Sequence, residues 1–153
     1  MKSEFVRLFL PVGAGVLLGL VVAFRGFLRA WREAPDSPCF VRLLAGLAAT
    51  SPATKLFYAE ILAFVAATPG VEGVPRFAKA DVFFVAGNVM GLMALAQGFV
   101  AAARMPKMLA FRGPSGKPGA IPVTLMIQGF FETPAIFAMV FGMIALQMTN
   151  TPP

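Results

Sequence analysis

The chain has 153 residues, of which 58% are hydrophobic and 13% charged, and its formal net charge is +6. This composition lies well outside the usual mixture of soluble globular proteins and indicates an integral membrane protein. With no His and a single Cys, the chain cannot assemble the common zinc sites, a Cys-His nucleophile pair or an internal disulfide. Its Lys and Arg residues stand between apolar runs, which does not suit a nucleic-acid binder with a contiguous solvated basic face.

The first apolar stretch, residues 5–30, is predicted to be a transmembrane helix. Lys2 and Arg7 precede its apolar core, as basic residues do in a secretory signal peptide. No small-residue cleavage site follows that core, because Arg25 and Arg29 come next. The stretch also reaches the length of about 20 apolar residues that a bilayer requires. A membrane helix is therefore predicted in preference to a cleaved signal.

Three further apolar stretches predict transmembrane helices at residues 40–67, 82–104 and 121–148. Segments rich in turn-forming residues separate them. The predicted fold class is an all-α membrane protein whose four transmembrane helices form two duplicated helical hairpins. We assign the first hairpin to residues 1–70 and the second to residues 71–153.

The two predicted hairpins repeat each other in sequence. The first and third helices share glycines in register, and the second and fourth share a Thr and an Ala: Gly15, Gly19 and Gly26 match Gly87, Gly91 and Gly98, and Thr54 and Ala59 match Thr133 and Ala138. Small residues at four-residue spacing predict that helices one and three pack closely. This packing serves either an ordinary bundle or the inner layer of a ring. The repeat is parallel, in contrast to the inverted repeats of many transporters.

The basic residues predict the orientation of the chain in the membrane. Segments 25–42 and 104–117 are rich in Arg and Lys, and both are expected on the cytoplasmic side. The loop between them balances its charges, and the tail after Met148 has no charged side chain. Both termini are therefore expected on the opposite side.

Three charged residues, Lys55, Glu60 and Glu132, fall inside predicted spans and away from the ends of those spans. A charge at the bilayer centre costs at least ~2.5–3.5 kcal/mol, so each is a functional candidate. Glu132 has no other charge on its own helix, and a carboxyl removed from water favours its neutral form. Such a group can load and release an ion. The alternative is a protonated Glu132 that is hydrogen-bonded to a neighbouring helix.

Lys55 and Glu60 are not expected to neutralise each other. Five residues along an α-helix correspond to about 140° of rotation, so the two side chains do not share a face. Lys55 could instead pair with a neighbouring helix or subunit. It could also snorkel from a shorter span towards the membrane surface.

Two sequence segments carry a family resemblance. GLMALAQGFVAAA at residues 91–103, followed by FETPAI at residues 131–136, resembles the second hairpin of the proteolipid subunit, also called subunit c or K, of V-type and A-type rotary ATPases. The resemblance covers essentially all four helices and is most specific in the second half. It implies that Glu132 is the ion-carrying carboxylate and that Gln97 hydrogen-bonds or ligates beside it. It also implies that Thr54 and Tyr58 support the site.

The sequence departs from this family at two positions. Lys55 stands where sodium-binding members have Gln, and an ammonium offers no oxygen to a hard cation. Glu60 stands where the family usually has an apolar residue, and its role as an accessory site residue is open. Sodium could still bind at Glu132, Gln97 and Thr54 together with backbone oxygens. Lys55 nevertheless favours protons as the transported ion.

The function implied by the resemblance is ion translocation on Glu132 by a rotor ring subunit, coupled to ATP hydrolysis or synthesis. The implied partners are further copies in a ring, a stator subunit with an essential arginine, a central stalk subunit on the cytoplasmic side, and lipid. The expected location is a prokaryotic plasma membrane, which the chain crosses several times. The chain has no GxxxxGK[ST] loop, so nucleotide chemistry is expected in partner subunits. We expect no catalytic site of its own and no cofactor other than the transported ion, and the placement of the basic residues argues against a nucleic-acid partner. The alternative is a small four-helix transporter or scaffold with Glu132 as a substrate counter-ion.

Overall fold

The computed structural model describes residues 2–67, 79–110 and 120–147, and all regular structure in these ranges is helical. The elements are α1 Lys2–Glu33, α2 Cys39–Thr50, a 3-10 turn Ser51–Ala53, α3 Thr54–Ala67, α4 Lys79–Leu109 and α5 Ala120–Gln147. Three of them, α1, α4 and α5, are long and apolar enough to cross a membrane. The predicted all-α, multi-pass character is thus confirmed. The boundary predicted between the two hairpins lies outside the described residues.

The second predicted span consists of two shorter helices, α2 with 12 residues and α3 with 14. Pro52 has no N–H to donate to the carbonyl of Ala48, which interrupts the helix at this point. The Ser51 hydroxyl donates to that carbonyl at 2.8 Å, so the break leaves no acceptor unpaired. Neither helix alone reaches the length of about 20 residues that a bilayer requires. The predicted count of four membrane-spanning helices is therefore not confirmed.

Helices α1 and α4 form the most extensive helix contact in the described part of the chain. They run in the same direction, as a parallel repeat requires, and glycines bring their backbones together. A Cβ atom on Gly15 would overlap the backbone of Gly91, and one on Gly19 would lie 2.5 Å from the carbonyl oxygen of Ala94. Only glycine permits this approach. The close packing predicted for these two helices is confirmed.

Two buried apolar clusters lie at opposite ends of the bundle. One joins the beginning of α1 and α4 to the C-terminal halves of α3 and α5. The other joins the C-terminal parts of α1 and α4 to α2, and here the Ser37 hydroxyl donates to the carbonyl of Leu109. Arg32 and Lys107 lie at this second end, which we call the basic end. The buried polar residues Lys55 and Gln97 lie between the two clusters.

Candidate functional site

Three polar side chains from different helices meet half-way along the bundle. Lys55 is the second residue of α3, immediately after the 3-10 turn, and Gln97 lies near the middle of α4. Glu132 belongs to α5, a helix of 28 residues, and lies about 18 Å from its first residue at a rise of ~1.5 Å per residue. The broken helix therefore delivers Lys55 to the depth at which Glu132 lies.

The Lys55 ammonium is enclosed by oxygen atoms. Its Nζ lies 2.7 Å from Glu132 Oε1, donates to Gln97 Oε1 and lies 3.3 Å from Thr54 Oγ1. An ammonium has three N–H donors and no acceptor, so each of its hydrogens has a partner. The Lys55 side chain is 0% exposed, which shows that the snorkelling hypothesis is wrong. Lys55 instead pairs with a neighbouring helix.

The Glu132 carboxylate receives further donors from the same residues. Gln97 Nε2 donates to Oε1 at 2.9 Å, and Thr54 Oγ1 lies 2.9 Å and 3.0 Å from the two carboxylate oxygens. The Tyr58 side chain also interacts with this carboxylate. The Glu132 side chain is 20% exposed, so the carboxylate reaches the outer surface of the bundle while the ammonium stays inside.

These contacts bring together Thr54, Lys55, Tyr58, Gln97 and Glu132, the residues that the resemblance and the intramembrane charges had singled out. Their combined charge is zero, because the ammonium and the carboxylate cancel. Removing one partner of such a buried pair costs about 3–5 kcal/mol, since the other charge is left uncompensated. The site can therefore hold two opposite charges within the membrane only while they remain together.

Glu60 does not join the site. It is exposed, whereas Lys55 on the same helix is buried, as their angular separation predicts. No hydrogen bond or ion pair to the site residues is found for Glu60 in the described part of the chain. It therefore offers a second intramembrane carboxyl for comparison with Glu132.

Two residues that adjoin the site, Gln128 and Ser51, were not predicted from the sequence. The carbonyl of Gln128 accepts a hydrogen bond from Gln97 Nε2 at 3.3 Å, and its side-chain Oε1 lies 3.0 Å from Ser51 Oγ. Gln128 precedes Glu132 by one helical turn, so the two side chains share a face. The four-residue spacing of Gln128 and Glu132 in an otherwise apolar helix could have identified Gln128 as a neighbour of the site.

Comparison with protein-family profiles and with curated proteins finds no match for the chain. Chemically, the site can hold a carboxylate at mid-depth beside a cationic group and let that carboxylate meet a partner at the outer surface. Loss of one proton from the pair would leave a single negative charge.

Proposed function

We propose that the protein is the rotor ring subunit of a V-type or A-type rotary ATPase and that it carries protons. The observation that supports this most is the Lys55–Glu132 ion pair, a net-neutral carrier at mid-depth with one face at the outer surface. A carrier that crosses lipid must be neutral, because an isolated charge there is costly. The pair meets this condition without a bound metal ion.

The ammonium of Lys55 explains the preference for protons over sodium. It already takes the oxygens of Glu132, Gln97 and Thr54, which are the atoms that a hard cation would need. A metal ion within ~4 Å of the ammonium would also meet a repulsion of about 4 kcal/mol at an effective dielectric near 20. The cargo is therefore a proton held by the pair.

The proton cycle has two charge states. In the loaded state, the Lys55 ammonium and the Glu132 carboxylate form a neutral pair that turns through lipid. Beside a stator arginine, the guanidinium takes over as the counter-ion of Glu132, and the ammonium releases one proton to water and becomes an amine. The amine regains a proton from water on the other side of the membrane, and the pair forms again. One proton is moved for each step.

The packing of the helices suits a ring. Glycines bring the backbones of α1 and α4 into close contact, which suits the inner layer of a ring. Large apolar side chains, such as Phe57 on α3 and Phe130 on α5, remain exposed beside the site, as expected where lipid or a neighbouring subunit covers them. The cellular location that we propose is a prokaryotic plasma membrane.

A pair of matched variants tests the function. Proton uptake is measured in vesicles that contain the assembled complex with Glu132→Gln or with Glu60→Gln, and the mass of the purified protein is measured in mild detergent. We expect a large ring, loss of uptake with Glu132→Gln, and uptake retained with Glu60→Gln. Uptake retained with Glu132→Gln would refute the role of Glu132. A monomer or dimer that transports a solute would favour the small-transporter alternative.

A further inference from the structure

Helix α5 carries a ladder of polar side chains that leads from the basic end to the ion pair. Thr124, Gln128 and Glu132 follow one another at intervals of one helical turn and therefore share a face. Thr124 is 0% exposed and Gln128 is 5% exposed. An apolar helix has no packing reason to bury polar side chains repeatedly on one face.

The middle member of the ladder has unused hydrogen-bonding capacity. One end of the Gln128 amide meets Ser51 Oγ at 3.0 Å, at the break between α2 and α3. The other end is buried and has no hydrogen-bond partner among the described residues. A buried polar atom without a partner costs about 1–3 kcal/mol, and ordered water is the usual partner for such a group.

The other half of α5 offers no comparable path. Beyond Glu132, the buried positions of α5 are Ala135, Gly142 and Leu146, and they pack against apolar residues such as Leu62 and Phe83. On α5, the buried polar side chains beyond the site therefore lie on one side of it, towards the basic end. This asymmetry is what a path to one face of the membrane requires.

We infer that the polar face formed by Thr124, Gln128 and Ser51 binds a short file of water molecules and gives water access to the ion pair from the basic end. The ligand is water, and its role as the inlet or outlet of protons rests on the proposed function. The presence of the water can be tested independently of that function. The path lies in this subunit and not in a stator.

Cysteine reactivity tests the path directly. In a Cys39→Ser background, Gln128→Cys and Thr124→Cys are each treated with a small, hydrophilic, membrane-impermeant thiol reagent. Met126→Cys serves as the control, because Met126 is 70% exposed on the apolar outer surface of the bundle. The hydrated thiolate is the nucleophile that attacks such reagents. We expect Gln128→Cys to react at least about tenfold faster than the control, and only from the cytoplasmic side. Thr124→Cys, a smaller change, gives the same test if Gln128→Cys does not fold.

Reactivity of both cysteines no higher than that of Met126→Cys would overturn the inference. A second variant, Gln128→Met, separates this outcome from failure of the proposed function. If wild-type complex takes up protons and Gln128→Met slows uptake by at least about tenfold, both proposals stand. If Gln128→Met takes up protons at the wild-type rate, the path is refuted and the rotor function is not. If wild type takes up none, the function fails, and the cysteine result still decides whether water is present.

Discussion

Replacing Lys55 by Met should make Glu132 reactive towards a hydrophobic carbodiimide, because the reagent requires a protonated carboxylic acid. Met keeps the length and much of the volume of the Lys stem and removes the ammonium. Glu132 then retains the donors of Gln97 and Thr54 and its interaction with Tyr58. A carboxylate that has lost its counter-ion within the membrane is expected to take up a proton.

The size of the effect follows from the separation of the charges. At the 2.7 Å between Lys55 Nζ and Glu132 Oε1, the attraction is about 6 kcal/mol at an effective dielectric near 20. Desolvation of the ammonium offsets part of this attraction, since buried pairs give a net effect of about 3–5 kcal/mol when one partner is removed. One factor of ten corresponds to about 1.4 kcal/mol. The labelling rate at neutral pH should therefore rise by at least about tenfold even if only half of the smaller figure is realised.

The assay compares labelling rates of Glu132 in wild type, Lys55→Met and Lys79→Met. Lys79 donates to the carbonyl of Ala66 at 2.9 Å, near the end of the bundle away from the site, so this control makes the same chemical change without touching the ion pair. We expect fast labelling with Lys55→Met and slow labelling in the other two proteins. Equal rates in all three would show that the ammonium does not hold Glu132 in its ionised form, and the argument from the ion pair would fail.

Three further predictions concern the ion, the packing and the orientation. Carbodiimide labelling of wild-type Glu132 should follow pH and not respond to millimolar sodium; strong protection by sodium would contradict a proton cargo. Gly15→Ala should lower the thermal stability of the protein in detergent, because its Cβ would overlap the Gly91 backbone. In the control Gly13→Ala, the new Cβ meets nothing within 4 Å, so the free energy of unfolding should stay the same or rise by up to about 1 kcal/mol. Similar melting temperatures for the two variants would refute the close approach of α1 and α4. The native Cys39, which is exposed, should react with an impermeant maleimide from the cytoplasmic side, and reaction only from the opposite side would invert the proposed topology.

Composition and repetition predicted more of the fold than of the site. Apolar length located α1, α4 and α5, because a bilayer fixes the number of residues in a span. Repeated glycines predicted the contact between α1 and α4, since small residues have few other roles at such spacing. The break before Thr54 was missed, although Pro52 signals it, because apolar length alone does not distinguish one helix from two in series. The pairing of Lys55 with Glu132 could not be assigned, since it depends on how α3 and α5 sit against α4.

The Lys55–Glu132 ion pair can exchange a proton only if water or a base reaches it, and the polar face of Thr124, Gln128 and Ser51 offers one such route. An ammonium tethered to the backbone cannot leave the site as a metal ion can, so the only cargo that Lys55 can release is a proton. Release requires a base or water to reach the ammonium, yet the Lys55 side chain is 0% exposed. Two routes remain: through Glu132, which is partly exposed at the outer surface, and along the face of Gln128 towards the basic end. In the proposed rotor, such a carrier would use a stator contact at Glu132 on one route and water near Gln128 on the other, so that each side of the membrane has separate access to a single proton.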